Sequence, residues 1–161
     1  MTLTANGFFK QADETHPIPE AILSDFGSVI LKAGNLINGR KTFDLLRQSP
    51  AKNSFPGLEF VVVSKQLQKN EGFFVADSPR KALEYLQQKK FAVALVAGGA
   101  ALNSAFLSEG LADEIFLNIA PVIMHEGINL ALSADIETRL ELIDSKRLEK
   151  NIFQFHYEVV K

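Results

Sequence analysis

The stretch AGNLINGRKTF, residues 33–43, has the pattern of a buried strand, a glycine turn and the start of a helix. Gly34 and Gly39 have the separation of the glycines in the P-loop motif G-x-x-x-x-G-K-[ST], although Arg40 stands before Lys41. A P-loop needs its strand before the first glycine. Here the apolar strand residues lie between the glycines, so the stretch predicts a strand-to-helix crossover of an α/β protein and excludes a triphosphate loop.

Similar segments follow along the chain. EFVVVS (59–64) and FAVALVA (91–97) are short and apolar throughout, which is typical of parallel strands covered on both faces. SPRKALEYLQQKK begins with Ser78 as N-cap and Pro79 at the first helical position, and AALNSAFLSEG ends at Gly110 as C-cap. This alternation predicts a mostly parallel central sheet with helices on both faces.

The pattern changes after Gly110. LADEIFLNIAPVIM, TRLELIDSKRLE and NIFQFHYEVVK look like strands, and the last two alternate between apolar and polar residues. We expect an antiparallel C-terminal hairpin with its turn within DSKRLEKN (144–151). The whole of residues 1–161 is predicted to form a single domain, because this length is ordinary for one core.

Composition narrows the function. Lys+Arg 17 against Asp+Glu 19 gives a formal net charge of −2, which argues against a general nucleic-acid binder or a polybasic membrane binder but leaves room for a small basic pocket. The absence of cysteine excludes disulfides, thiolate zinc sites and a cysteine nucleophile. The amino terminus does not resemble a signal peptide, and a glycine pair interrupts the longest apolar run. We expect a cytoplasmic protein.

The first candidate site is the turn formed by Gly39, Arg40, Lys41 and Thr42. A helix amino terminus offers unpaired N–H groups and a partial positive charge, and here two cations and a hydroxyl lie on its first turn. The alternative is that both cations are solvated surface charges. Cations are unfavourable at that end of a helix, which favours an anion site.

Two further strand ends carry comparable signals. Ser64 and Lys65 follow a buried strand, and the pair Gly98–Gly99 lies between a strand and a helix, where a Cβ would block close approach. The alternatives are an ordinary polar strand end and tight helix–sheet packing. Together, the three sites would line one edge of a parallel sheet, which is the extended docking surface that a dinucleotide requires.

The segments INGRKTF, VVVSKQ and ALVAGGAALNSAFLSEGLADEIFLNIAPVI, in this order, resemble the dihydrofolate reductase-like superfamily. The resemblance is strongest to the reductase domain of the bifunctional riboflavin-biosynthesis deaminase/reductase. It implies a three-layer fold and an NADPH-dependent reductase that transfers a hydride to a pyrimidine-ribosyl or related heterocyclic substrate, in the manner of 5-amino-6-(5-phosphoribosylamino)uracil reductase. It also implies a homodimer.

The resemblance also implies site residues. The cofactor phosphates would bind Gly39, Arg40, Lys41 and Thr42, and the adenosine 2′-phosphate end would contact Ser64 and Lys65. The pyrophosphate and nicotinamide would lie along Gly98, Gly99, Ala100, Ala101 and Leu102. Family members often have a cis peptide within the glycine pair. The substrate side would include Thr4, Asn6 and Gly7.

Two segments depart from the family. TANG (4–7) stands where relatives have S-x-D-G, so Asn6 replaces an acid, and MHEGIN (124–129) replaces a glycine-rich turn. Asp25 and Glu126 are the candidate proton donors, with a helix-start residue and a surface loop as the respective alternatives. These departures leave open a nucleotide-binding homologue without catalysis. A dihydrofolate or pterin reductase is also open, but the spacing of the first-helix acids to NGRKT and the absence of Trp disfavour it.

Overall fold

A computed structural model describes residues 1–9, 17–48, 55–67, 72–129 and 137–161. Its helices are α1 Glu20–Ala33, α2 Arg40–Gln48, α3 Pro79–Gln88 and α4 Ala100–Ser108. Its strands are β1 Thr2–Thr4, β2 Phe8–Phe9, β3 Asn35–Gly39, β4 Glu59–Val63, β5 Phe74–Ala76, β6 Val96–Gly98, β7 Glu114–Ala120, β8 Ile128–Asn129, β9 Leu140–Glu149 and β10 Ile152–Val159. They form two compact units, one of Met1–Phe26 with Phe106–Lys161 and one of Gly27–Ala105.

The unit Gly27–Ala105 contains the parallel sheet that the sequence predicts. Four strands lie in the order β5-β4-β3-β6, and every neighbouring pair is parallel. The central strands are apolar, and Ile37 and Val61 are fully buried. Continuous apolar runs of this kind are what a parallel sheet covered on both faces needs.

Helices cover both faces of this sheet. Phe43 of α2 packs edge-on against Phe60, with ring centroids 6.2 Å apart, whereas Tyr85 of α3 stacks on Phe74 at 3.7 Å. Val61 is the register partner of Phe74, so Phe60 and Phe74 point to opposite faces. The predicted three-layer arrangement is therefore present in this unit.

The helix ends follow the capping signals in the sequence. Ser78 Oγ accepts the backbone N–H of Lys81, with Pro79 at the first position of α3. After α4, Gly110 has φ +65°, its N–H bonds to Leu107 O, and the Leu111 N–H bonds to Phe106 O. This pair of bonds is a Schellman motif, and the predicted C-cap is confirmed.

The unit Met1–Phe26 with Phe106–Lys161 differs from the prediction of one mostly parallel sheet. Its six strands lie in the order β8-β2-β1-β7-β10-β9, and only β1 and β7 are parallel. The predicted antiparallel hairpin β9–β10 is confirmed. β7 also pairs antiparallel with β10. The other two antiparallel pairs involve the short strands β2 and β8, whose two-residue length gives almost no pattern to detect.

Two strand boundaries also differ. Residues 144–149 continue β9 instead of forming a turn, because all of them except Leu148, at a register shift, are paired with β10. The turn is Lys150–Asn151. FAVALVA is strand only from Val96, because the Asn35 side chain bonds to the Val93 carbonyl at 2.7 Å and the Leu95 N–H at 3.0 Å. The Asn35 side chain thus takes the place of the backbone hydrogen bonds that a neighbouring strand would make with residues 93–95.

Across the described ranges, no helix combines the length and apolar character needed to cross a bilayer.

Candidate functional site

Three of the predicted site segments lie side by side at the carboxyl edge of the parallel sheet. β3 ends at Gly39, β4 at Val63 and β6 at Gly98. Gly39 is in register with Val63, and Asn38 is in register with Gly98. Because the three strands are adjacent and parallel, the turns that follow them share one edge.

Two of these turns are in direct contact. The Gly99 N–H donates a hydrogen bond to Thr42 Oγ1 at 3.0 Å. Thr42 is the third residue of α2, and Gly99 immediately precedes α4. The peptide Gly98–Gly99 is cis, as the sequence resemblance implies. The first turn of α2 is thus hydrogen-bonded to the start of α4.

The glycine pair leaves no room for side chains. Gly98 has φ +86°, and a Cβ there would lie 3.1 Å from both Asn103 Nδ2 and Asn103 Oδ1. A Cβ on Gly99 would lie 3.2 Å from Thr42 Oγ1. Such contacts are tighter than ordinary packing. Packing against Asn103 and Thr42 therefore requires glycine at both positions, which is the tight-packing alternative that the sequence left open.

The edge carries exposed cations. Arg40, Lys41 and Lys65 are all exposed, and the first turn of α2 contains no acidic residue. The Arg40 guanidinium donates from Nη1 to Gln66 Oε1 at 3.1 Å, which links α2 to the segment after β4. Positive side chains and a helix amino terminus both favour an anion at this edge.

The remaining predicted cofactor residues have local structural roles. Ser64 Oγ accepts the backbone N–H groups of Gln66 at 3.2 Å and Leu67 at 3.1 Å, so it shapes the turn after β4. Ala100 and Leu102 are buried in the first turn of α4, whereas Ala101 is exposed. Ala100 and Leu102 therefore offer a ligand mainly their backbone.

The two segments that depart from the family pattern are bonded to each other. Asn6 Nδ2 donates to Met124 O at 2.7 Å, and Asn6 Oδ1 accepts from Met124 N at 3.2 Å. Asn6 Oδ1 also accepts from the buried Thr4 hydroxyl at 2.9 Å. Gly7 follows with φ +88°. The Asn6 amide thus holds the TANG turn against the MHEGIN segment.

Asp25 is bonded through both carboxylate oxygens. Lys146 Nζ donates to Oδ1 at 2.5 Å, and Gln154 Nε2 donates to Oδ2 at 2.8 Å. Gln154 is buried and also donates to Asn118 Oδ1 at 2.9 Å. Asp25 lies within α1, not at its start, so the helix-start interpretation is wrong. Its bonds anchor α1 to β9 and β10.

Glu126, the other candidate acid, lies at the surface. Its side chain is 82% exposed, and its Oε1 lies 3.7 Å from Nε2 of His125, which is 91% exposed. Exposed pairs at such distances contribute little to stability. Glu126 is therefore free of the buried contacts that hold Asp25.

A protein-family model described as the RibD C-terminal domain matches residues 10–153. This chain belongs to that family. Uncharacterized protein YyaP of Bacillus subtilis (strain 168) is 25% identical over 174 residues, which cover 98% of this chain and 91% of YyaP.

Solved structures share the fold. A pyrimidine reductase-like protein from Corynebacterium diphtheriae superimposes with a TM-score of 0.79 at 16% identity, covering 99% of this chain and 90% of that one. A diaminohydroxyphosphoribosylaminopyrimidine deaminase/5-amino-6-(5-phosphoribosylamino)uracil reductase from Thermotoga maritima gives 0.72 at 14% identity, covering 99% of this chain and 55% of that one. The chain is therefore a RibD C-terminal domain protein by family, and these structures share its fold.

Sequence reasoning missed several residues around the site. Asn38 is fully buried beside Gly39, and neither Oδ1 nor Nδ2 has a hydrogen-bond partner among the described residues. A polar residue inside the apolar stretch NLIN was the available signal. Gln66 and Asn103 gave no signal, because only the fold brings them to Arg40 and Gly98.

Proposed function

We propose that this protein is an NADPH-dependent reductase of the riboflavin-biosynthesis type. Its substrate would be a pyrimidine-ribosyl compound or a related heterocycle, as for 5-amino-6-(5-phosphoribosylamino)uracil reductase. The observation that carries the proposal is the alignment of the Gly39, Val63 and Gly98 strand ends on one sheet edge, with Thr42 bonded to Gly99. Family membership supports the same function.

The cations of this edge fit a dinucleotide with several negatively charged phosphate groups. The α2 amino terminus with Arg40 and Lys41 would bind phosphate, since guanidinium groups and helix N–H groups both donate to phosphate oxygens. Lys65 and the Ser64 hydroxyl would take the 2′-phosphate end. The pyrophosphate and nicotinamide would lie along the Gly98–Gly99 backbone, because this turn shares the sheet edge with the amino terminus of α2.

The bound cofactor would supply a hydride, and the chain would hold it in position and exclude competing reactions. Thr4, Asn6 and Gly7 would contribute to substrate binding in this proposal. The proton would come from water or from Glu126. Asp25 is less suited, because both its oxygens accept hydrogen bonds from Lys146 and Gln154.

We also propose a cellular location and a class of binding partner. A nearly balanced charge, with 17 basic and 19 acidic residues, suits a cytoplasmic enzyme of a small-molecule substrate better than a nucleic-acid or membrane binder. We also propose a homodimer, as the family resemblance implies.

A second candidate is a nucleotide-binding homologue without catalysis. The observation in its favour is that Asn6 stands where relatives have an acid. Its side-chain amide is hydrogen-bonded to the Met124 backbone. An asparagine cannot accept or release a proton in the physiological range.

NADPH titration followed by turnover assays separates the two candidates. We expect NADPH binding and its oxidation by at least one member of a panel of pyrimidine, pterin and quinone substrates. Binding without oxidation across the panel would favour the non-catalytic homologue. Turnover with dihydrofolate and inhibition by methotrexate would instead indicate a dihydrofolate reductase. Absence of NADPH binding would contradict the reductase proposal.

A further inference from the structure

A cavity lies at the amino edge of the parallel sheet, where β4 and β5 begin. Its volume is about 380 Å³, which is in the range of small-molecule binding sites. The residues that line it include Glu59, Phe60, Phe73, Phe74 and Tyr85. Because β4 and β5 are parallel, this edge is opposite the carboxyl edge at Val63 that we assign to the cofactor. The cavity is therefore separate from the proposed cofactor site.

Aromatic rings line the cavity from both faces of the sheet. Phe60 and Phe73 lie on the face covered by α2, where the Phe73 ring centroid is 4.5 Å from that of Phe43. Phe74 and Tyr85 lie on the other face and stack with their ring planes 2° apart. All four lining rings are half-buried, so each keeps part of its surface exposed. Aromatic surfaces of this kind attract apolar groups, and their ring faces attract cations.

Glu59 gives the cavity a negative charge. Its Oε1 accepts a hydrogen bond from the Tyr85 hydroxyl at 2.5 Å, and its Oε2 accepts none from the described residues. Burial and this hydrogen bond raise the pKa of Tyr85 to about 12, so the phenol is neutral at physiological pH. Of the described residues that line the cavity, Glu59 alone is charged. Tyr85 also lies in the last turn of α3, and the negative end of a helix dipole favours a cation.

We propose that this cavity binds a small organic cation with an apolar body, such as a protonated or quaternary aromatic amine. Oε2 of Glu59 would contact the positive group, and the rings of Phe60 and Phe74 would pack against the apolar body. The Lys89 ammonium, which lies 5.6 Å from the Tyr85 ring centroid, shows that a cation is accommodated beside these rings. An anion would be repelled by the Glu59 carboxylate. This inference does not depend on the reductase proposal.

Titration with two probes of opposite charge tests the site. Benzyltrimethylammonium has a permanent positive charge and an apolar ring, and benzenesulfonate has the same ring with a negative charge. In isothermal titration calorimetry, the wild-type protein should bind the cation about tenfold more tightly than the anion, or more. The ring resonances of Phe74 and Tyr85 should shift in the NMR spectrum as the cation binds. Absence of cation binding, equal binding of both probes, or shifts confined to other residues would overturn the proposal.

Two matched substitutions test the role of the carboxylate. Glu59→Gln keeps the shape but removes the charge, so the affinity for benzyltrimethylammonium should fall about tenfold. Glu84→Gln removes the same charge from an exposed residue of α3 outside the cavity and should keep the wild-type affinity. If Glu59→Gln fails to fold, saturation of the wild-type protein with the cation should still lower the pKa of Tyr85, because the cation offsets the charge of Glu59. Wild-type affinity in Glu59→Gln, equal losses in both variants, or an unchanged pKa of Tyr85 would overturn the proposal.

Discussion

The hydroxyl of Thr42 accepts the N–H of Gly99 at 3.0 Å. This bond joins the first turn of α2, which carries the cations Arg40 and Lys41, to the glycine pair that precedes α4. The two residues are 57 positions apart in sequence. The Thr42 side chain therefore fixes the distance between the two turns that we propose to bind the cofactor.

Removal of this bond should weaken both the fold and the site. Thr42→Val keeps the shape but leaves the Gly99 N–H without its partner, so we expect the free energy of unfolding to fall by about 1 kcal/mol and the Kd for NADPH to rise about tenfold. Thr42→Ser keeps the hydroxyl and should behave like the wild type. Denaturant unfolding and fluorescence titration measure the two effects. Equal values for the Val and Ser variants would show that the bond has no role.

We expect a side chain at Gly98 to destabilise the fold by more than its backbone angle alone would, because the added Cβ would be too close to Asn103. Gly98→Ala places a Cβ 3.1 Å from the Asn103 amide at φ +86°. Gly57→Ala is a matched control, because Gly57 has φ +80° and nothing within 4 Å of its added Cβ. The control should lose about 1–2 kcal/mol for the left-handed conformation alone. Gly98→Ala should lose more in chemical denaturation, and a loss equal to the control would contradict the packing shown here.

Replacement of Asn38 by an apolar residue should stabilise the fold. It is fully buried and both polar atoms of its amide lack a partner within the described ranges. Asn38→Leu should raise the free energy of unfolding by about 1–3 kcal/mol, because it removes an unsatisfied buried polar group. The control is Asn35→Leu on the same strand, whose amide bonds to Ala33, Val93 and Leu95 and whose loss should destabilise. Destabilisation by both variants would mean that the Asn38 amide is satisfied in solution.

We predict that the phenol of Tyr85 loses its proton at a higher pH than an ordinary tyrosine. Burial, together with the hydrogen bond that its hydroxyl donates to the Glu59 carboxylate, raises the pKa of Tyr85 to about 12 from 10.0. Between these values the unfolded chain loses the proton and the folded chain keeps it, so the free energy of unfolding falls as pH rises. Tyr85→Phe should abolish this part of the fall.

The test is an ultraviolet phenolate titration, which is simple because the chain has only two tyrosines. Glu59→Gln should move the Tyr85 transition toward the ordinary pKa, because it removes the negative charge beside the phenol. A Tyr85 transition near 10 in the wild-type protein would refute the Glu59 contact.

The parallel half of the fold was readable from the sequence because its signals are local. The strand, glycine and helix of residues 35–48 are adjacent in the chain, and Ser78, Pro79 and Gly110 mark helix ends by their own side-chain chemistry. The antiparallel unit was less readable. Its strands β2 and β8 have two residues each, and β9 is exposed along nearly all its length, so no apolar alternation marks where it ends.

In the candidate site too, features set by local sequence could be predicted and tertiary contacts could not. The positions of Gly39 and Gly98 at strand ends could be predicted, because the strand and helix on either side of each are adjacent in sequence. The partners of Arg40, Asn6 and Asp25 were not found, because hydrogen bonds to Gln66, Met124 and Gln154 depend on tertiary structure alone. Residues distant in sequence leave no periodic signal.

The most direct test of the account is a titration of NADPH and NADH against the wild-type protein, Arg40→Ala and Lys65→Ala. Lys89→Ala is the control, since Lys89 lies over the Tyr85 ring at the end of α3. We predict tighter NADPH binding than NADH binding in the wild type, a loss of about ten- to a hundredfold in Arg40→Ala, and loss of the NADPH preference in Lys65→Ala. Equal affinities for the two nucleotides, unchanged in Arg40→Ala and Lys65→Ala, would contradict the cofactor site.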